Sequence, residues 1–298
     1  MGYQGYAGDA NRITREYLDS LLIEMRHIGA AVPDTGFKLF GRRFASPIAT
    51  AALSHLKGRE GSGMVEMAQG CARARALCFA GMGDEEELKQ MLATGAALIK
   101  IIKPYADRGM IASRLRAAKE QGALAVGMDL DHSFDGAGRP DVVLGIPMAP
   151  LGREELAAYI AAAGLPFIIK GVLSARDARL AADLGAAGIV VSHHHGILPY
   201  AVPPLMALPD IVRAAEGRLK IFVDCGINDG FDVFKALALG ADAACVGRVI
   251  MGPLEEQGPE GVSGKIEEMT AQLAGAMART ACATLGDLEP GLIRRRDF

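Results

Sequence analysis

The stretch FIIKGVLSARDARLAADLGAAGIVVSHHHG, residues 167–196, decides how this chain folds. An apolar run (167–172) comes first. Ser174 and Asp177 follow at capping-box spacing, then a helical stretch that stops at Gly185. A second apolar run (188–194) leads into three consecutive histidines and a glycine. Neither run alternates apolar with polar residues, as expected of parallel strands buried on both faces. One strand, one helix and a second strand in thirty residues is the repeating unit of a parallel α/β fold.

The same unit recurs in both directions. Apolar runs appear at PIATAAL (47–53), ALCFAG (76–81), ALIKII (97–102) and ALAVGMDL (123–130), and again at KIFVDCG (220–226) and AACVGRV (243–249). With the two opening runs that makes eight. A helix fills the gap after Asp84 and Glu87, again at capping-box spacing, and stops at Gly95. Eight strands alternating with helices predict an α/β fold, a (β/α)8 TIM barrel in a single domain. Residues 1–45 read as an N-terminal helix (about 12–29) and a lead-in segment across the barrel bottom. Residues 46–288 form the barrel, with 259–288 supplying its last helices, and 289–298, ending IRRRDF, form a solvated tail.

Composition excludes several function classes. The chain has 298 residues, half of them hydrophobic, and a net charge of -3, so nothing favours nucleic acid or an anionic membrane. Five scattered cysteines, none in a CxxC pair, fit buried thiols in a reducing compartment. No signal-peptide pattern opens the chain and no apolar run approaches 18 residues, so a cytoplasmic location is expected.

In a barrel of this kind, polar residues at the C-terminal strand ends face the active site. Here those residues are Ser54, Lys100, Asp129, Asp131, Lys170, Ser192, His193, His194, Asp224, Gly247 and Arg248. Any one could be a solvated loop residue; the set together points to one mouth. The last two strands end in glycine-rich turns, VDCGINDG and CVGRVI, where barrels bind phosphate through backbone N–H groups and a helix N-terminus. Gly226 and Gly247 let the backbone approach an anion, and Arg248 adds a forked charge, although a helix-end salt bridge would also use that arginine. Three adjacent histidines do not suggest a metal site, because neighbouring strand residues point to opposite faces. No metal is expected.

The block 167–196 and the block IFVDCGINDGFDVFKALALGADAACVGRVI (221–250) together resemble the FMN-dependent α-hydroxy acid oxidase and dehydrogenase family. FGRRFASPIATAA and GMDLD are similar to that family's first and fourth strands, so the likeness runs over about 35–285. It implies an FMN-dependent enzyme acting on CH–OH groups. His194 would take the substrate hydroxyl proton as hydride leaves for flavin N5, and Asp131 would orient it. Lys170 would sit at the flavin N1–O2 edge. Asp224, Gly226, Gly247 and Arg248 would hold the FMN phosphate and Ser192 the ribityl chain. Ala52 and Ser54 would reach the flavin ring, with Lys100 and Asp129 beside it. The family also implies a homotetramer. The electron acceptor stays open.

The substrate-holding positions depart from the family. Ile197 stands where it has a carboxylate-binding arginine, and Ile102 where it has a tyrosine. Arg139 lies within one residue of a second arginine. The loop after the fourth strand is short, about 22 residues from Asp131 to the next helix. A carboxylate without its bidentate arginine loses a strong contact, so a substrate other than an ordinary small hydroxy acid is expected. Two further readings stay open: a flavin-binding protein without hydroxy acid turnover, and a non-redox phosphate-binding isomerase or aldolase with Lys100 or Lys170 as Schiff base.

Overall fold

In the computed structural model, which describes residues 8–296, all eight runs become strands of one closed parallel barrel. They are β1 (Ile48–Thr50), β2 (Leu77–Ala80), β3 (Ala97–Ile102) and β4 (Ala125–Asp129), then β5 (Phe167–Val172), β6 (Gly188–Val191), β7 (Lys220–Val223) and β8 (Ala243–Val246). Sequential strands pair with one another, and β8 closes onto β1 through Ala244↔Ile48 and Val246↔Thr50. Between the strands the capping signals hold. Asp84 accepts from the Glu87 N–H at the start of helix Glu85–Ala93, and Ser174 accepts from the Asp177 N–H at the start of Ala175–Asp183.

Strand parity decides which residues reach the site. Ala49, Phe79, Ile99, Ile101, Ala125, Ile168, Val190, Phe222, Ala243 and Cys245 fill the barrel interior. Their neighbours Leu98, Ile102, Val126, Met128, Ile169, Ile189 and Val223 pack outward against the helices. Period-two alternation carries the inward face up to the strand ends. Lys103, Asp129, Lys170, Ser192 and Asp224 therefore point toward the barrel mouth. Phe79 and Phe222 meet edge to face in the middle, with ring centroids 5.2 Å apart. Below them a hairpin, Phe37–Leu39 with Arg42–Phe44, plugs the bottom.

Both ends of the chain depart from expectation. The N-terminal helix spans Ala10–Ser20, capped by Asp9, and the chain then extends instead of staying helical to 29. Leu21–Ile23 pairs antiparallel with Ile293–Arg295, so the segment expected as a solvated tail holds a 3₁₀ turn (Pro290–Leu292) and then this strand. Arg294 pairs with Glu24, and the Arg295 guanidinium lies 5.8 Å from the Tyr17 ring centroid. A partner strand distant in sequence overrides local preference at both termini. The sixth strand also ends early, at Val191, and the histidines form a turn beyond it.

Candidate active site

The backbone after β6 is unusual. His194, His195 and Gly196 all have positive φ (46°, 57° and 80°), left-handed conformations that non-glycine residues rarely adopt. This turn, rather than strand alternation, sends the three imidazoles in three directions. His193 goes inward: its Nδ1 accepts from the Gly196 N–H (3.0 Å) and its Nε2 meets Thr14 Oγ1 of the N-terminal helix (2.8 Å). Burial lowers its pKa, so it stays neutral and ties that helix to the mouth. His195 goes out, its Nδ1 2.9 Å from Asn11 Oδ1, while the Asn11 amide donates to the His195 carbonyl. His194 turns over the mouth, its N–H donated to Ser192 Oγ at 3.0 Å.

There His194 meets an ionic cluster. Its Nδ1 lies 2.8 Å from Asp131 Oδ1, 3.3 Å from Asp129 Oδ1 and 3.0 Å from Lys170 Nζ. One Nδ1 proton serves one acceptor well, and the Asp131 carboxylate takes it as a charge-assisted bond. The Lys170 ammonium donates to Asp129 Oδ1 (3.1 Å) from the adjacent strand, where Lys170 and Asp129 are register partners. Lys103 donates to the other oxygen, Asp129 Oδ2, at 2.5 Å. Burial alone would raise the Asp129 pKa, but the charges of Lys170, His194 and Lys103 hold it well below the ordinary carboxylate range. Burial and the Asp129 charge raise Asp131. Burial opposes charge on His194, yet the hydrogen bonds to Asp129 and Asp131 win and raise its pKa. Asp131 Oδ2 is buried with no hydrogen-bond partner among the described residues.

Beside the cluster opens a cavity of about 410 Å³. Lys170 and His194 stand at one side, Asn228, Gly247 and Arg248 at another, with Ala51, Ala52 and Leu53 on the wall. Helix Arg248–Gln257 begins at Gly247 with no side chain capping its first turn, so its free N–H groups and its dipole are available to an anion. A Cβ at Gly247 would stand 3.6 Å from Ala51 and 3.7 Å from Leu53, inside the cavity wall. An anion cradle at one end and a buried ammonium at the other, joined by a largely apolar wall, fit a phosphorylated flavin.

Of the expected residues, Ala52, Lys170, His194, Asp224, Gly226, Gly247 and Arg248 line this cavity. Asp129, Asp131 and Ser192 brace them from behind. Five others lie elsewhere. Lys100 and Ile102 have the wrong parity. Lys100 is buried on the helix side, facing the charges of Glu87, Arg114 and Asp84, and burial pushes its pKa down to about 8. The inward residues are Ile101 and Lys103, one position along in each case. Ser54 is occupied by the Met82 N–H, Ile197 is exposed at the rim, and Arg139 is 77% exposed on a surface turn, paired with Asp135. Among the residues at the site that escaped the sequence reading are Asn11, Lys103 and His132. Alternation from Ile99 and Ile101 signals Lys103. Asn11 and His132 carry no local signal.

Comparison with known proteins agrees with this geometry. A family model described as FMN-dependent dehydrogenase matches residues 3–161 and 148–295. Glycolate oxidase of Spinacia oleracea is 28% identical over 304 residues, covering 90% of this chain and 81% of that protein. L-lactate oxidase of Roseobacter sp. (strain GAI101) is 44% identical over 141 residues, 47% of this chain and 38% of that protein. A structure of mandelate oxidase with a monooxide FMN adduct superposes with a TM-score of 0.88 at 30% identity, covering 97% of this chain and 92% of the other.

Proposed function

The chain belongs to the FMN-dependent dehydrogenase family, and from that premise we propose that it oxidises a CH–OH group with His194 as the base. FMN-dependent oxidation of CH–OH groups is the chemistry of its relatives glycolate oxidase and L-lactate oxidase. The observation that carries the assignment of roles is the Asp131–His194 pair, 2.8 Å long, at the edge of a cavity that also holds Lys170 and the Gly247–Arg248 turn.

The roles follow from the chemistry of each group. Asp131 accepts the Nδ1–H hydrogen bond and so leaves Nε2 as the basic nitrogen, the one that would meet the reacting hydroxyl. As Nε2 gains the proton, Asp131 stabilises the imidazolium. Gly226, Gly247, Arg248 and the free helix N–H groups hold the FMN phosphate, and Ala51, Ala52 and Leu53 line the ring. Lys170, fixed as an ammonium by Asp129, Asp224 and Asp131, presents a preorganised positive charge to the ring's electron-accepting edge. Bound FMN supplies the two-electron acceptor.

With Ile197 at the rim and Arg139 turned outward, Arg248 is the one arginine among the described residues that line the cavity, and it serves the phosphate end. We therefore assign the chain a hydroxy substrate whose carboxylate, if present, is not held by a bidentate arginine. The test is an anaerobic screen of the FMN-loaded protein against glycolate, L-lactate, mandelate and their esters, read as flavin bleaching. His194→Ala should keep FMN and slow bleaching by about 10²-fold or more, the usual range for a general base. Bleaching at the unaltered rate would remove His194 from this role. Absence of bleaching with every compound would favour a flavin-binding protein without turnover.

A further inference from the structure

His132, three residues past the end of β4, faces the Nε2 side of His194. The two Nε2 atoms are 3.0 Å apart, and the rings cross at 87° with centroids 4.2 Å apart. On its far side His132 Nδ1 lies 3.0 Å from Asp141 Oδ2. Both outer nitrogens thus point at carboxylates and carry protons. Two bare Nε2 lone pairs at 3.0 Å would repel, so this approach fits the state in which one further proton lies between them, the state reached once His194 has taken a proton. The result is a continuous chain, Asp131···His194···His132···Asp141, with room for one abstracted proton at its centre. Its outer members reach solvent on their own side: the His132 side chain is 20% exposed and that of Asp141 21%, beside 25% for His194 and 13% for Asp131, with Asp141 at the base of the short hairpin Val142–Val143 and Ile146–Pro147.

We propose that His132 and Asp141 form the outer half of a proton relay that carries to solvent the proton His194 takes from the substrate hydroxyl. This rests on His194 being the base. Oxidation of CH–OH to C=O releases a hydride equivalent and one proton, and only the proton concerns the relay. It forms the Nε2–H bond of His194 as the hydroxyl O–H bond breaks. It then passes to His132 Nε2, and the His132 imidazolium, held by Asp141, gives a proton to water. His194 returns neutral. His132 acts through His194 and is a relay and positioning residue.

The groups facing the pair favour this direction of storage and release. His194 sees Asp129, Asp131 and Lys170; His132 sees Lys103, His194, Asp141 and Asp129. Burial, Lys103 and His194 lower the His132 pKa. Once abstracted, the proton therefore resides mainly on His194 and visits His132 in passing; before abstraction His194 Nε2 carries no proton and acts as the base. The four side chains Asp129, Asp131, His132 and His194 also place possible ligand atoms within 4.8 Å of one another, spacing that a cation could use. Two ammonium groups on Asp129 already neutralise it, which disfavours a further cation there.

Two measurements on FMN-loaded protein test the relay. In ¹⁵N-histidine-labelled protein held at low pH, where His194 is protonated, one downfield imidazole proton should couple to two Nε2 nitrogens, and both His132→Ala and His132→Gln should abolish it. No such proton in the unaltered protein overturns the proposal, as would a stoichiometric metal bound by the two histidines. With a compound that bleaches the flavin, His132→Ala should slow turnover on the order of tenfold to a hundredfold. Added imidazole should restore the His132→Ala rate and leave the unaltered protein unaffected. Unchanged turnover in His132→Ala, or slow turnover that imidazole does not restore, overturns the relay while a slow His194→Ala keeps the base. A fast His194→Ala would instead overturn the base itself.

Discussion

At His194 two opposing forces meet, and their balance has a measurable sign. Burial disfavours the imidazolium, while Asp129 and Asp131 stabilise it more strongly, so its pKa is raised. A base acts only when neutral. Activity should be absent at low pH and appear as pH climbs through the raised value, so the acid limb of kcat/KM should lie above about 6.5, the ordinary histidine value. The stability linked to this residue runs the other way: it is fully present below about 6.5 and is lost as pH rises through the raised pKa. Asp131→Asn removes a carboxylate from Nδ1 and should move the acid limb to lower pH while lowering kcat. A limb that stays in place would mean that Asp131 does not orient His194.

Between elements, the N-terminal helix acts as a brace across the phosphate end. Arg15 bonds both oxygens of Asp232 (2.7 and 3.0 Å) and the Gly226 carbonyl (3.0 Å). Asp232 in turn accepts from the Asn228 N–H at 3.0 Å, and Asn228 lines the cavity. One helix surface thus fixes the loop after β7. Thr14, Leu18 and Asn11 on the same helix contact His193, the Gly226 turn and His195. Arg15→Ala would leave the Asp232 carboxylate buried with only its backbone donors and Lys235 nearby. We expect a loss of about 3 kcal/mol in chemical denaturation, the low end of the range for breaking a buried ion pair from one side because Arg15 is 30% exposed, together with weaker FMN retention. Full stability in the variant would show that the ion pair is replaced by solvent.

Across the whole molecule, the barrel and the cofactor share one equilibrium. The cavity lies between β1, β5, β6, β7 and β8, so a ligand seated in it couples strands distant in sequence. FMN binding the folded state alone adds about 2.7 kcal/mol at a concentration 100-fold above its Kd. In a chain of this size that is a rise of several degrees in Tm. Thermal melts of stripped and FMN-loaded protein should differ by that much, and the difference should vanish when the flavin is displaced. Equal melting temperatures would place the flavin outside this cavity. Among the described residues, no helix is long and apolar enough to cross a membrane.

The sequence by itself determined the barrel, because the eight buried parallel strands must each be apolar throughout and the helices between them carry their own start and stop signals. It also placed Asp131, Lys170, His194 and the Gly247–Arg248 turn at the C-terminal end of the barrel, where the structure brings them to one mouth, while their roles belong to the proposal above. Only the tertiary structure decided the rest. Whether Lys100 or Lys103 reaches the mouth depends on a one-residue register that a continuously apolar strand does not reveal. The pairing of His132 with His194 joins residues 62 positions apart on different strand ends, and the fate of both chain termini rests on a strand pair formed across the entire sequence. Such contacts have no signature in local pattern, because closure of the barrel, and not the neighbouring residues, brings them together.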